Sequence, residues 1–278
     1  MPEAGDYKDC YVAFLDILGF RQLVERSVYD VELLQQLSGI TSLAATPQSG
    51  MKQTSLGPCP MQVRAFSDSM VVFTPTAYAN GNACNPLGQL CFVVRYLHDR
   101  ILELDACIRG GLTIGKMYWH PSWSDIGSNP NRGSRGAQPI TFGPGLNAAY
   151  DLESKLAVFP RVLVDASVLH ALRGQDVDAW PFADRGMLLH QTFRTDQADG
   201  KVHLDLLSSR IVRAKNETMH TASGGFMVTW DGGANTTHRE VIARARQVAT
   251  AGIQQNGACG RVRQKYEWLR DYAISVEA

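Results

Sequence analysis

Asp16 is the only charged residue in the apolar run Tyr11-Val12-Ala13-Phe14-Leu15-Asp16-Ile17-Leu18, and Asp68 is the centre of the triplet Ser67-Asp68-Ser69 between two further apolar runs. An acid inside such a run is costly to bury without a partner. Two carboxylates brought to one sheet edge repel each other, and a hard divalent cation bound through oxygen relieves that repulsion. The backbone amides of Ile17, Leu18, Gly19 and Phe20 open a helix, where free N–H groups and the helix dipole favour phosphate, and Gly19 permits close approach. Carboxylates, a cation and an amide-lined turn together suit a nucleoside triphosphate better than a sugar or a peptide. The simpler alternative has Asp16 capping the helix near Phe20 and Asp68 only making a turn.

The elements around these acids decide between the two. Tyr11–Leu18 reads as a buried strand, and Val31, Leu33, Leu34, Leu37, Ile40 and Leu43 recur with helical spacing before a polar stretch from Thr46 to Pro60. Gln62–Phe66 and Met70–Thr74 form a hairpin around Ser67-Asp68-Ser69. A helical face from Leu87 to Leu104 leads to the glycine-bearing strand Ile108–Gly115. This βαββαβ order is that of an α+β, ferredoxin-like split sheet, in which the third strand lies antiparallel between the first and second. Asp16 and Asp68 are then expected to meet at one edge.

Beyond this core, His120–Pro139 has loop composition and carries Arg132 and Arg135. A helix over Gly145–Leu156, a strand over Arg161–Val164 and a short helix capped by Asp165 and running through Leu172 come next. Met187–Phe193 and Val202–Leu207 flank a polar turn, and two helical patterns end the chain, one through Val241 to Ala249 and one through Val262 to Tyr272. The expected organisation is one domain over residues 8–210 and a mainly helical extension over 211–278, packed on that domain or on a dimer partner.

The 278 residues are 45% hydrophobic and 19% charged, with 27 basic and 27 acidic side chains. That balance gives no net field towards nucleic acid or an anionic membrane, so a charged ligand must be met locally. The start of the chain lacks signal-peptide character and no segment approaches a membrane span, which points to the cytoplasm. The six cysteines form no C-x-x-C pair and read as buried thiols, and His98, His170 and His190 lie in ordinary helical or strand patterns without catalytic partners.

Phe14-Leu15-Asp16-Ile17-Leu18-Gly19-Phe20, Phe66-Ser67-Asp68-Ser69-Met70, Arg109-Gly110-Gly111 and Gly143-Pro144-Gly145-Leu146-Asn147-Ala148-Ala149 together resemble the class III nucleotidyl cyclase catalytic domain over about Tyr11 to Asp165. Ala149-Tyr150-Asp151-Leu152-Glu153 followed by Pro160-Arg161-Val162 is similar to the bacterial pyrimidine cyclases of the Pycsar antiphage systems. The resemblance implies that Asp16, Asp68 and the Ile17 carbonyl hold two Mn²⁺ or Mg²⁺ ions per site. Phe14, Leu18, Gly19, Phe20 and Arg64 would contact the nucleotide, and Asn147 would orient the ribose. The positions of the adenine-reading pair hold Arg64 and Ile140, and Arg64 cannot accept the N–H groups of guanine but can donate to uracil or cytosine. A pyrimidine is therefore the better fit.

The position of the usual transition-state arginine holds Asp151, so Arg161, Arg109, Arg132 or Arg135 would have to substitute; Asp151 and Glu153 read equally as a solvated helix face. The implied reaction converts UTP or CTP to its 3′,5′-cyclic nucleotide and pyrophosphate. A head-to-tail homodimer would build each site from the acids of one chain and Arg64 and Asn147 of the other, and a separate effector protein would sense the product. Adenylate cyclase activity, a catalytically degenerate nucleotide-binding module and an unrelated ferredoxin-like interaction domain are the alternatives.

Overall fold

The computed structural model describes residues 7–45, 61–77, 86–119, 141–173, 192–207, 238–257 and 259–277. Ile140, Arg132, Arg135, His190, Cys59 and Cys84, and the stretches 46–60 and 120–139, lie outside the described residues.

The described chain is a mixed α/β structure of eight strands and seven helices. In chain order these are β1 (Lys8–Leu18), α1 (Phe20–Ser27), α2 (Val31–Ala45), β2 (Gln62–Phe66), β3 (Ser69–Pro75), α3 (Pro86–Leu102), β4 (Cys107–Trp119) and β5 (Thr141–Phe142). The remainder are α4 (Pro144–Leu156), β6 (Val162–Val164), α5 (Ala166–Arg173), β7 (Phe193–Thr195), β8 (Val202–Leu204), α6 (His238–Gln255) and α7 (Gly260–Glu277). The sheet runs β2-β3-β1-β4-β6-β8-β7, with β5 paired to β4. β3 lies antiparallel between β1 and β2, β1 is antiparallel to β4, and β4 is parallel to β6. The pairing expected of the first four strands, with the third antiparallel between the first and second, is the one observed, although two helices rather than one join β1 to β2. Among the described residues, no helix is long and apolar enough to cross a membrane.

Strand alternation divides β1 between two cores. Tyr11, Ala13, Leu15 and Ile17 enter the larger one, with Leu23 of α1, Leu37 of α2 and Leu90, Val94 and Leu97 of α3. Cys10 and Val12 enter a smaller one on the opposite face, with Val71, Phe73, Met117 and Ala149 of α4, and Phe14 packs against it. Asp16 continues the second series. A third cluster joins α6 and α7 to the end of the sheet through Leu102, Cys107, Leu207, Val241, Ala245 and Leu269. The terminal helices thus pack on their own chain.

Several elements differ from expectation in extent. β1 begins three residues earlier and β4 continues to Trp119, because their antiparallel register runs unbroken from Lys8↔Met117 to Leu18↔Cys107. The late hairpin is described only in part: residues 187–191 of its expected first strand lie outside the described residues, and the strand Phe193–Thr195 runs into the expected turn. Its described strands end at Thr195 and Leu204, and the turn between them closes on itself when the Gly200 N–H donates to the Asp196 carbonyl at 2.8 Å.

Candidate functional site

The β2–β3 hairpin turns through Ser67 and Asp68, and Ser67 adopts a left-handed φ of 56°. A two-residue hairpin loop demands such a conformation, and it folds the tip back over the end of β1. The Ile17 N–H donates to the Asp68 carbonyl at 2.9 Å, and Asp16 stands opposite Ser69 in the ladder. The two acids, 52 positions apart in sequence, therefore share one end of the sheet. Asp68 is exposed and accepts a long hydrogen bond from the Ser69 hydroxyl, whereas Asp16 is 18% exposed.

Arg109, opposite Asp16 on β4, donates its Nε–H to Asp16 Oδ2 at 2.8 Å. The same nitrogen lies 2.7 Å from Glu153 Oε1 on α4. Two glycines of β4 explain how α4 comes so close. A Cβ on Gly115 would lie 2.5 Å from the Gly145 Cα, and one on Gly111 would lie 2.5 Å from the Ala149 carbonyl oxygen. Pro144 in the first turn starts the helix with a favourable φ. Gly145, Ala149 and Glu153 then recur at four-residue steps on the face that rests on the sheet. That progression delivers Glu153, 3% exposed, to the level of Arg109.

Burial pushes the Glu153 carboxyl above its ordinary value, the Arg109 charge pulls it back, and the negative charges of Asp16 and Asp68 push it up again. Lys265 of α7 completes the group. Burial and the Arg109 charge push its ammonium down, and Asp16 and Glu153 oppose that effect. Strands β1 and β4 thus carry Asp16 and Arg109, the hairpin tip Asp68 and α4 Glu153, with Lys265 of α7 near enough to feel their charges.

Gly19 adopts φ 83° and begins α1 without any side-chain cap. Open space surrounds its Cβ position, so the backbone conformation alone requires glycine there. Asp16 does not cap this helix. Phe20 packs against the larger core and Leu18 against the terminal-helix cluster, while Phe14 meets the exposed Tyr150 ring edge-on at 5.2 Å. Arg64 is buried on β2, where its guanidinium donates to the Gln62 side-chain oxygen at 2.8 Å and to the Val63 carbonyl at 3.0 Å. Asn147 is exposed near the start of α4.

Two readings of single residues change, those of Arg161 and Glu153. Arg161 is 1% exposed, and its guanidinium pairs with Asp196 and Asp199 of the late hairpin and lies over the rings of Phe159 and Trp268. Those partners, rather than the acids at Asp16, account for its charge. Asp151 and Glu153, two positions apart on a helix, face different surroundings. Asp151 is solvated, 54% exposed and paired with Lys155 at 2.9 Å, whereas Glu153 turns inward. Glu153 read in the sequence only as part of a motif or of a solvated face, and Lys265 did not stand out. The signal for Glu153 was its four-residue spacing from Gly145 and Ala149; Lys265 lies in a helix whose contacts with the site only tertiary structure reveals.

The two acids have the chemistry of cation ligands, although among the described residues no group of three or more metal-binding side chains comes together. Asp16 and Asp68 supply hard carboxylate oxygens, and a guanidinium already drawn to Asp16 shows that this end of the sheet favours positive charge. No protein-family model matches this chain, and no curated protein matches it.

Proposed function

We propose that this protein is a class III-like nucleotidyl cyclase built on a ferredoxin-like βαββαβ core, forming a 3′,5′-cyclic pyrimidine nucleotide and pyrophosphate from UTP or CTP. The observation that carries the reading is the stapling of the Asp68 turn to Ile17 beside Asp16, with both acids acting on the buried Glu153. Asp16, Asp68 and the Ile17 carbonyl would hold Mn²⁺ or Mg²⁺. When bound, the ions lower the pKa of the ribose 3′-hydroxyl and offset charge on the departing pyrophosphate.

The chain's own residues hold and aim the reactants. The 3′-oxygen attacks the α-phosphorus in line, its proton passes to solvent, and the bond to the β-phosphate oxygen breaks. No side-chain base is required, in keeping with the burial of His98 and the surface position of His170. The left-handed Gly19 turn would offer the amides of Gly19 and Phe20 to the phosphates, whereas the Ile17 N–H, expected to join them, is taken by the Asp68 carbonyl. Asn147, exposed on α4, is available to a second copy in a head-to-tail homodimer, and Arg64 would read the base. Asp151, one turn from Asn147 and likewise exposed, would come to the same interface, where its ion pair with Lys155 at 2.9 Å offsets its charge. A role in antiphage defence, with a separate effector sensing the product, rests on the resemblance in sequence.

Incubation of the purified protein with each of the four NTPs and Mn²⁺, followed by mass spectrometry, tests the reading. A cyclic pyrimidine product that Asp68→Ala abolishes is expected. No cyclic product from any NTP would overturn it.

A further inference from the structure

Arg109 Nε carries one hydrogen, and two carboxylates compete for it. The N–H is directed at Asp16 Oδ2, 2.8 Å away, so Glu153 Oε1, although 2.7 Å from the same nitrogen, receives no hydrogen bond from it. That oxygen is buried and has no hydrogen-bond partner among the described residues. Leaving a buried carboxylate oxygen unsatisfied is costly, more so than for a neutral group. A small rotation of the guanidinium would give Glu153 the hydrogen bond and release Asp16.

We propose that Glu153 is a positioning residue that takes Arg109 from Asp16 when a divalent cation binds, and so sets the cation affinity of the site. The inference rests on the cyclase reading only in taking Asp16 as a cation ligand. The guanidinium and the cation compete for Asp16, and the exchange balances: Asp16 gives up one hydrogen bond and gains a metal bond, while the orphaned oxygen of Glu153 is satisfied. The anionic Glu153 also offsets the charge of Arg109, which would otherwise repel a dication at close range. Without Glu153, Arg109 stays on Asp16. Without Arg109, Asp16 loses its hydrogen-bonded competitor, leaving only the Lys265 charge.

Mn²⁺ binding to the full chain, measured by electron paramagnetic resonance of the free ion without nucleotide, separates these effects. Glu153→Gln is expected to weaken binding about tenfold, on the order of a unit charge acting over a few ångströms. The double variant Glu153→Gln/Arg109→Gln, which removes both the competitor and its alternative partner, is expected to recover the loss or bind more tightly than the native protein. A merely structural role for Glu153 would not make its loss reversible by removing Arg109. If the native protein binds Mn²⁺ and Asp16→Asn abolishes binding, but Glu153→Gln leaves it unchanged or the double variant binds as weakly as Glu153→Gln, the inference fails and the metal reading stands. If the native protein binds no Mn²⁺, both fail.

Discussion

Buried side chains in this protein differ sharply in what burial does to them. Cys10, Cys91 and Cys107 are sealed in apolar surroundings that push each thiol up to about 12, whereas Cys259 is exposed. The thiolate is the reactive form, so at pH 8 Cys259 is expected to be alkylated in the native protein while the other three react only after unfolding; peptide mass spectrometry of labelled protein checks this. Cys10, Cys91 and Cys107 are buried as expected, Cys91 on the apolar helical face that the sequence showed, whereas Cys259, expected to be buried with them, is exposed. Asp16 was legible as one charge in an apolar strand. Glu153 was not, because two helical neighbours can face opposite ways and only the contact with β4, 44 residues upstream, decides which one turns inward. Arg161 misled for a related reason, since its acidic partners lie 35 and 38 positions further on in a turn that reads as ordinary surface.

Elements meet where side chains are missing. At Gly115 and Gly145, β4 and α4 approach backbone to backbone, and Gly115→Ala would force them apart. Overpacking of this kind costs about 1–3 kcal/mol, and a shifted α4 carries Glu153 with it. A lower midpoint in urea together with weaker Mn²⁺ binding is the expected result, measured on the same preparation. The order of the first four strands was readable because they are short apolar runs bounded by turn residues or by segments with the helical spacing of 3.6. β5 was not, since a pair of two-residue stretches carries no period at all. The contact between α6 and α7 was equally hidden: a Cβ on Gly252 would come within 2.4 Å of the Tyr266 ring, a detail no hydrophobic pattern encodes.

Taken whole, the molecule ties its C-terminal helices to its sheet by polar joints as well as apolar ones. Arg244 of α6 donates to the carbonyls of Leu102 and Glu103 at the end of α3 and pairs with Asp105. The Trp268 indole N–H of α7 donates to Asp196 at 2.7 Å, and the Tyr272 hydroxyl donates to Asp205 at 2.5 Å. Arg161 links this joint to the sheet, so Arg161→Ala strands a buried carboxylate and is expected to cost about 3–5 kcal/mol in chemical denaturation followed by tryptophan fluorescence. The joint is also acid-sensitive. Burial would raise the Asp199 carboxyl, but hydrogen bonds from Arg161 and Lys201 outweigh that and hold it at about 2, below its ordinary 3.8. A depressed carboxyl contributes stability that is present above the unfolded value and lost as pH falls through the folded one. Stability is therefore expected to decline between about pH 4 and pH 2, and Asp199→Asn to flatten that decline in an acid titration.

The alternation of β1 carries a consequence for how such a chain can vary. Exchanging Val12 for isoleucine, or Leu15 for methionine, leaves every neighbour in its own layer. Adding or deleting one residue between Tyr11 and Asp16 would reverse the facing of the rest of the strand, sending the carboxylate into oil and an aliphatic side chain toward Arg109. Divergent descendants of this chain should therefore conserve the length of that strand far more strictly than its letters.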